Sequence, residues 1–161
     1  MKQITVFLLS AGILLLVTGC GSTVPAVQQQ NFTFTYNELT IPLGADALPV
    51  LQALGDPVSY TETPSCAFDG VDKTYYFGSF YLSTCPQNEM DAVYRIWLAD
   101  DSVAAEGGVR IGQTQARAEA VFGADCFGSN DAYTQIQGNS TLTVLLTDGI
   151  VSSIQYEWIP D

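Results

Sequence analysis

Two stretches of the chain share one pattern of apolar and polar positions. Residues 43–55 and 111–123 align without a gap, and each holds an apolar residue, a glycine, a helix-capping residue, a short amphipathic segment and a second glycine. The caps would be Asp46 and Thr114, whose side-chain oxygens can accept hydrogen bonds from the free N–H groups of a first helical turn. The pattern predicts one short helix in each stretch, ended by the second glycine.

Each predicted helix has a narrow apolar stripe. The stripe consists of Leu48, Leu51 and Leu54 in the first helix and of Ala118, Val121 and Phe122 in the second. We expect Leu54 and Phe122 to occupy equivalent buried places. Helices this short are not stable in isolation, so a sheet must supply most of the core.

Alternation of apolar and polar residues after each helix predicts a three-stranded antiparallel meander. The predicted strands span residues 73–77, 80–84 and 92–99 in the first copy and residues 132–137, 141–147 and 151–158 in the second. Gly78-Ser79 and Asp148-Gly149 are typical two-residue hairpin turns. Another hairpin, turning at Asn37-Glu38, is predicted at residues 32–41.

The two copies also match where each meander ends. Residues 93–100 align with residues 154–161, although the pattern leaves open which face of the sheet Trp97 and Trp158 occupy. Two copies of one unit then fill the chain, with repeat 1 at residues 32–100 and repeat 2 at residues 101–161.

The first hairpin of repeat 1 has two distinct faces. A turn at Gly78-Ser79 places Tyr76 opposite Tyr81 and divides the flanking residues between the faces. The apolar face, assigned to the helices, holds Tyr75, Phe77, Phe80 and Leu82, and the solvent face holds Thr74, Tyr76, Tyr81 and Ser83. We expect Tyr76 and Tyr81 to be substantially exposed while Tyr75 and Phe77 are buried.

The N-terminal segment is predicted to be a lipoprotein signal peptide. Lys2 precedes an apolar run at residues 4–17, and small residues lead directly to Cys20. This order resembles the lipobox of bacterial lipoproteins, the alternative being an ordinary secretory signal with an accidental cysteine. Cleavage would remove residues 1–19 and leave a lipidated Cys20 at the head of a flexible tether, residues 20–31. The mature protein would be extracytoplasmic and anchored to the cell membrane by that lipid.

The chain is strongly acidic. Its 5 Lys and Arg residues face 17 Asp and Glu residues, a formal net charge of -12. Such a surface repels nucleic acid and anionic lipid headgroups, so the lipid on Cys20 is the expected membrane contact and nucleic acid is excluded as a partner.

Three cysteines follow Cys20. Cys66 and Cys126 each precede the first strand of a meander, which predicts a disulfide that links the two repeats. On the loop-entropy model, closing this loop would stabilise the fold by about 4 kcal/mol. A bond between Cys66 and Cys85 is the rival pairing, and free thiols are the third possibility. Cys85 is the expected unpaired residue in the first case.

The sequence offers little for catalysis. Histidine, the usual base beside a nucleophile and the commonest zinc ligand, is absent. The acidic pairs Asp69/Asp72 and Asp100/Asp101 lack the spacing of a calcium loop. We therefore expect a non-enzymatic protein with no metal ion or cofactor. A hydrolase that uses a pair of carboxylates is the least favoured hypothesis, because the Asp and Glu residues are scattered along the chain.

A lipobox, a polar tether and two copies of the cap, helix and meander unit resemble the envelope lipoproteins of Gram-positive bacteria whose domain is similar to the β-lactamase inhibitor protein. The same unit appears singly in small lipoproteins of the outer-membrane barrel-assembly machine. The resemblance implies an α+β fold, in which tandem repeats form one curved antiparallel sheet with short helices on one face. It also implies that the open face of the sheet binds protein.

Two functions follow as hypotheses. The first is a non-catalytic protein-binding module that uses Tyr76, Tyr81 and Trp97 on the open face, although these rings could instead only support the sheet. The second is a receptor for a small ligand or cell-wall fragment, which needs a concave pocket with convergent polar groups. An enclosed pocket or an open sheet face would distinguish the two.

Overall fold

A computed structural model describes residues 30–66 and 68–160 of the chain. The predicted signal peptide, Cys20 and most of the predicted tether lie outside the described residues.

The described chain is an α+β structure in which the paired strands are antiparallel, as the sequence predicted. Its elements are, in order, β1 (Thr33–Tyr36), β2 (Leu39–Pro42), α1 (Ala47–Leu54), β3 (Ser59–Pro64), β4 (Val71–Tyr76), β5 (Phe80–Gln87), β6 (Met90–Leu98), a 3₁₀ turn (Glu106–Gly108), α2 (Gln115–Phe122), β7 (Ala132–Gln137), β8 (Ser140–Thr147) and β9 (Ile150–Trp158).

The main sheet has seven strands in the order β3-β4-β5-β6-β9-β8-β7, and β1 and β2 form a separate hairpin. All neighbouring strands are antiparallel, and the sheet is open, with β3 and β7 at its edges. The predicted meanders are β4–β6 and β7–β9, and they join through β6 and β9. We refer to α1 with β4–β6 as the first half and to α2 with β7–β9 as the second half.

Both predicted helix caps are confirmed. The Leu48 N–H donates to Asp46 Oδ1 over 3.0 Å, and the Arg117 N–H donates to Thr114 Oγ1 over 3.4 Å. In both halves, the chain just before the helix also forms a backbone hydrogen bond to the last strand of its own meander. The Gly44 N–H donates to the Val93 carbonyl, and the Gly112 N–H donates to the Val151 carbonyl, each over 2.8 Å.

These bonds correct the alignment of the two halves. They make Val93 the counterpart of Val151, whereas the sequence pattern aligned residue 93 with residue 154. Trp97 therefore corresponds to Gln155, which is also its partner across the β6–β9 pair. Trp158 has a different place, on the core side against Gly44. The shared tryptophans misled the alignment because the hairpins of the two halves differ in length.

One hydrophobic core joins the two halves and the N-terminal hairpin. The Phe34 ring of β1 lies 5.1 Å from the Phe80 ring of β5 and 5.9 Å from the Tyr156 ring of β9, measured between centroids. The Phe32 N–H also donates to Ser140 Oγ over 2.7 Å. The β1–β2 hairpin therefore covers the joint between the halves and contributes its own side chains to the core.

The predicted helix stripe is wrong at one position. Leu48 is 60 % exposed, whereas Ala47 and Val50 are buried and Leu51 and Leu54 pack partly against the core. The Asp46 cap sets the start of the helix, so residues 47, 50, 51 and 54 form the face toward the sheet. Phe122 is likewise only partly buried.

The predicted disulfide between Cys66 and Cys126 is not present, and Cys66, Cys85 and Cys126 are free thiols. Cys66 follows the edge strand β3 and Cys126 precedes the opposite edge strand β7. Six strand spacings separate these edges, about 29 Å, whereas a disulfide needs Cα atoms within about 7 Å. The rival bond between Cys66 and Cys85 is not present either.

Among the described residues, neither helix has the length or the apolar character needed to cross a membrane.

Candidate protein-binding face

The face of the sheet opposite the core carries a row of stacked aromatic rings. Tyr76 on β4, Tyr81 on β5 and Trp97 on β6 are direct cross-strand neighbours. The Tyr76 and Tyr81 centroids are 4.5 Å apart at an interplanar angle of 24°, and the Tyr81 and Trp97 centroids are 4.7 Å apart at 11°. We call these three residues the aromatic ladder and this side of the sheet the open face.

Stacking decides which part of each ring meets solvent. Tyr81 is stacked on both of its ring faces, whereas Tyr76 and Trp97, at the ends of the ladder, are each stacked on one. The Tyr76 hydroxyl donates to the Gly78 carbonyl.

The expected exposures are wrong, although the predicted division of faces is correct. Tyr76 and Tyr81 are half-buried because they stack on each other and on Trp97. Tyr75 and Phe77 lie on the core side as predicted, but they are also half-buried, at the margin of the core cluster.

The row of the ladder continues across the second half without a ring. Next to Trp97 it runs through Gln155 on β9, Thr143 on β8 and Thr134 on β7. Thr143 corresponds to Tyr81, and Thr134 corresponds to Tyr76, because each occupies the same place in its meander relative to Val93 or Val151. The two halves therefore have the same backbone arrangement on this row, but the first half carries aromatic side chains and the second half carries smaller polar ones.

A bulge in β6 places Trp97 on the open face. Ser83 pairs with Arg95 and Thr84 pairs with Val93, so Tyr94 is an extra residue in the strand. An extra residue reverses the alternation of faces beyond it. From the sequence alone, the position of Trp97 was ambiguous because nothing in the pattern marks the bulge.

An ion pair lies beside the ladder, at the joint between the halves. Arg95 Nη2 lies 2.7 Å from Glu157 Oε1, to which the Tyr94 hydroxyl also donates over 2.7 Å. Gln155 Nε2 donates to Glu157 Oε2 over 3.0 Å. Burial alone would raise the pKa of Glu157, but the bonds from Arg95 and Tyr94 outweigh it and hold that pKa below its ordinary value. The network connects β6 to β9, and the charges of Arg95 and Glu157 cancel within it.

Four clefts of the described chain lie away from the ladder. They have volumes of about 320 to 460 Å³ and open beside the β1–β2 hairpin, the β5–β6 turn and helix α1. None of these four is lined by a ladder residue. Within the described residues, no group of three or more His, Cys, Asp or Glu side chains is arranged to hold a metal ion.

Comparison of the chain with models of known protein families, with curated proteins and with solved structures finds no match.

Proposed function

We propose that the chain is a membrane-anchored, extracytoplasmic lipoprotein that binds another protein through its aromatic ladder and has no catalytic activity. Cys20 carries the lipid in this proposal, and residues 1–19 are removed as a signal peptide. The support for the anchor is the order of apolar run, small residues and cysteine.

The proposed architecture is a tandem repeat on one curved sheet with both helices on its core side. Its support is that the two helices begin in the same way. Each is capped by a side chain, and each follows a glycine that donates to the last strand of its own meander. Strand order also reads alike from either edge toward the β6–β9 pair, apart from the additional β3.

The observation that carries the proposed function is the one-sided distribution of the rings. Some cross-strand aromatic pairs do no more than stabilise a sheet, and each pair of this kind contributes about 0.2–1 kcal/mol. The second half forms the same three strands with Thr134, Thr143 and Gln155 at the matching positions. The backbone arrangement therefore does not require rings there. This supports a role in binding for the ladder of the first half.

The chemistry of the ladder favours a protein partner over a sugar. Sugars bind aromatic residues through a free ring face, and here both faces of the central ring, Tyr81, are used in stacking. Tyr and Trp edges with neighbouring small hydroxyl groups suit a protein interface, where such residues are enriched. A net charge of -12 adds a preference for a basic partner, with association that slows as salt rises.

The position of the described N-terminus is compatible with this use. Asn31 Oδ1 accepts from the Asn139 N–H over 2.8 Å, so the chain enters the fold beside the turn between β7 and β8. The tether thus joins the half without the ladder. A protein anchored at this point would hold the ladder half away from its attachment.

The experiment replaces the ladder by the residues of its counterpart row. The Tyr76→Thr/Tyr81→Thr/Trp97→Gln variant and the wild type are used to capture proteins from envelope extracts. Tyr60→Thr is the matched control, because Tyr60 is 44 % exposed and lies on the core side. We expect at least a tenfold loss of a specific partner with the ladder variant alone. Equal recovery by all three forms would contradict the proposed function.

A further inference from the structure

A second surface lies on the core side of the sheet, between helix α1 and the end of the β5–β6 hairpin. It is a groove of about 410 Å³ whose apolar lining comes from Leu48 and Leu51 of α1, Tyr75 of β4 and Met90 of β6. Leu48 is 60 % exposed and Met90 is 36 % exposed. The groove therefore leaves large apolar side chains in contact with solvent.

The groove exists because one hairpin is longer than its counterpart. Ala92 bridges to the cap Asp46, and Ile150 bridges in the same way to the cap Thr114. Beyond Ala92, the pairs Pro86↔Asp91 and Gln87↔Met90 extend the β5–β6 hairpin. Ile150 instead comes directly after the Asp148-Gly149 turn, which closes the β8–β9 hairpin at the pair Thr147↔Ile150. The extension supplies one wall of the groove.

The helix positions that line the groove also differ between the halves. The Leu51 carbonyl accepts from the Gly55 N–H, and the Glu119 carbonyl accepts from the Gly123 N–H, so Leu51 corresponds to Glu119. By the same alignment Leu48 corresponds to Ala116. The second half thus folds with a small residue and a charged residue at these places. Leucines at these two positions are not a requirement of the helix and meander unit.

Acidic side chains surround the apolar lining. Asp46, Glu89 and Asp91 all border the groove, and Lys73 is its one basic residue. Lys73 Nζ lies 2.6 Å from Asp91 Oδ2, so that pair is neutral. Asp46, which caps α1 through Oδ1, and Glu89 form no ion pair within the described residues. Glu62 is the cross-strand partner of Lys73 on β3 and adds negative charge nearby.

We propose that this groove binds a peptide segment in which a large apolar side chain is flanked by Lys or Arg residues. The apolar side chain would contact Leu48, Leu51 and Met90 and remove their exposed surface from water. The basic neighbours would pair with Asp46 and Glu89. This surface is independent of the aromatic ladder, which lies on the other side of the sheet.

The test uses fluorescein-labelled peptides and fluorescence anisotropy with the purified full chain in a non-ionic detergent. The probe is Lys-Lys-Leu-Phe-Lys-Lys, with Lys-Lys-Ser-Ser-Lys-Lys lacking the apolar anchor and Glu-Glu-Leu-Phe-Glu-Glu carrying the opposite charge. We expect the probe to bind at least tenfold more tightly than either control peptide. Raising the salt concentration from 50 mM to 500 mM should weaken the probe several-fold.

Two variants locate the binding site. Leu48→Ala/Leu51→Glu gives α1 the residues of its counterpart helix and should weaken the probe at least tenfold. Leu48→Ala alone changes an exposed side chain and should weaken it several-fold without altering the melting temperature, which keeps the test valid if the double variant does not fold. The ladder variant should bind the probe as the wild type does, which separates this proposal from the proposed function.

Three results would overturn the proposal. One is equal binding of the three peptides, and another is probe binding that Leu48→Ala and the double variant leave unchanged. The third is a concentration-dependent dimer, seen by analytical ultracentrifugation, that Leu48→Ala abolishes while the probe does not bind, because the groove would then be covered by a second copy of the chain.

Discussion

Replacing the aromatic ladder by the residues of its counterpart row should leave the protein folded. The Tyr76→Thr/Tyr81→Thr/Trp97→Gln variant removes two stacked ring contacts, with centroid distances of 4.5 and 4.7 Å. Aromatic pairs contribute about 0.5–1.5 kcal/mol each beyond their area burial. The two stacked contacts therefore account for about 1–3 kcal/mol of the free energy of unfolding, against a total of about 5–15 kcal/mol for a domain.

Phe80, the residue before Tyr81, provides a control that should be strongly destabilising. Phe80 precedes Tyr81 on β5 but points to the core, where it is fully buried against Phe34. Phe80→Ala should cost about 3–5 kcal/mol, because it leaves a cavity. Adjacent residues of one strand should thus differ clearly in their contribution to stability.

Urea unfolding followed by circular dichroism measures both effects. We expect the ladder variant to lower the midpoint while the slope with denaturant stays the same, since the surface exposed on unfolding is nearly unchanged. A double-mutant cycle between Tyr76 and Tyr81 should return a coupling of about 0.5–1.5 kcal/mol. The reasoning would be refuted if the ladder variant failed to fold, or lost as much stability as Phe80→Ala, because the ladder would then be a structural element.

Three further outcomes follow from the structure. Cys66 should react with a thiol reagent within the native protein while Cys85 reacts only on unfolding, because burial, with smaller effects of nearby carboxylates, raises the pKa of the Cys85 thiol to about 11. Glu157→Gln should cost stability at neutral pH and progressively less on acidification. A carboxylate with a lowered pKa stabilises the fold above its unfolded-state pKa and loses this effect as pH falls through its folded-state pKa. Gly44→Ala should destabilise more than Gly112→Ala, although both have a positive φ, because only the Cβ at residue 44 would meet a neighbour, the indole nitrogen of Trp158 at 2.7 Å.

Each of these outcomes has a direct check. Mass spectrometry of alkylated peptides before and after unfolding identifies the reactive thiols, and a disulfide-linked peptide would contradict the first. Unfolding free energies of wild type and Glu157→Gln between pH 7 and pH 3 test the second, which fails if the difference grows on acidification. Melting temperatures of the two alanine variants test the third, which fails if they are equal or reversed.

Much of the fold follows from local patterns in the sequence. The caps at Asp46 and Thr114 were predictable because a side-chain acceptor just before an apolar stripe has few other uses. The meander strands were predictable from alternation and from turns such as Asp148-Gly149. Strand β3 was not, since its six residues are all exposed and their mainly polar sequence gives no alternation to detect.

The predicted disulfide was wrong because positions that match in sequence were treated as neighbours in space. The halves join through β6 and β9, so matched positions before β4 and β7 lie toward opposite edges of the sheet. That arrangement separates Cys66 from Cys126. The likeness of Trp97 and Trp158 was misleading in a related way, because the β5–β6 and β8–β9 hairpins differ in length. Long-range geometry of this kind is set by the whole sheet, and no local pattern contains it.

The most direct measurement places a photo-reactive side chain on each face of the sheet. A benzoyl-phenylalanine at position 81 lies within the aromatic ladder, whereas the same group at position 60 lies on the core side at the sheet edge. After illumination of intact cells that express each form, we expect position 81 to form a discrete protein adduct that mass spectrometry identifies and that position 60 does not form. The same adduct in equal yield at both positions, or no adduct at position 81, would contradict a binding role for the aromatic ladder.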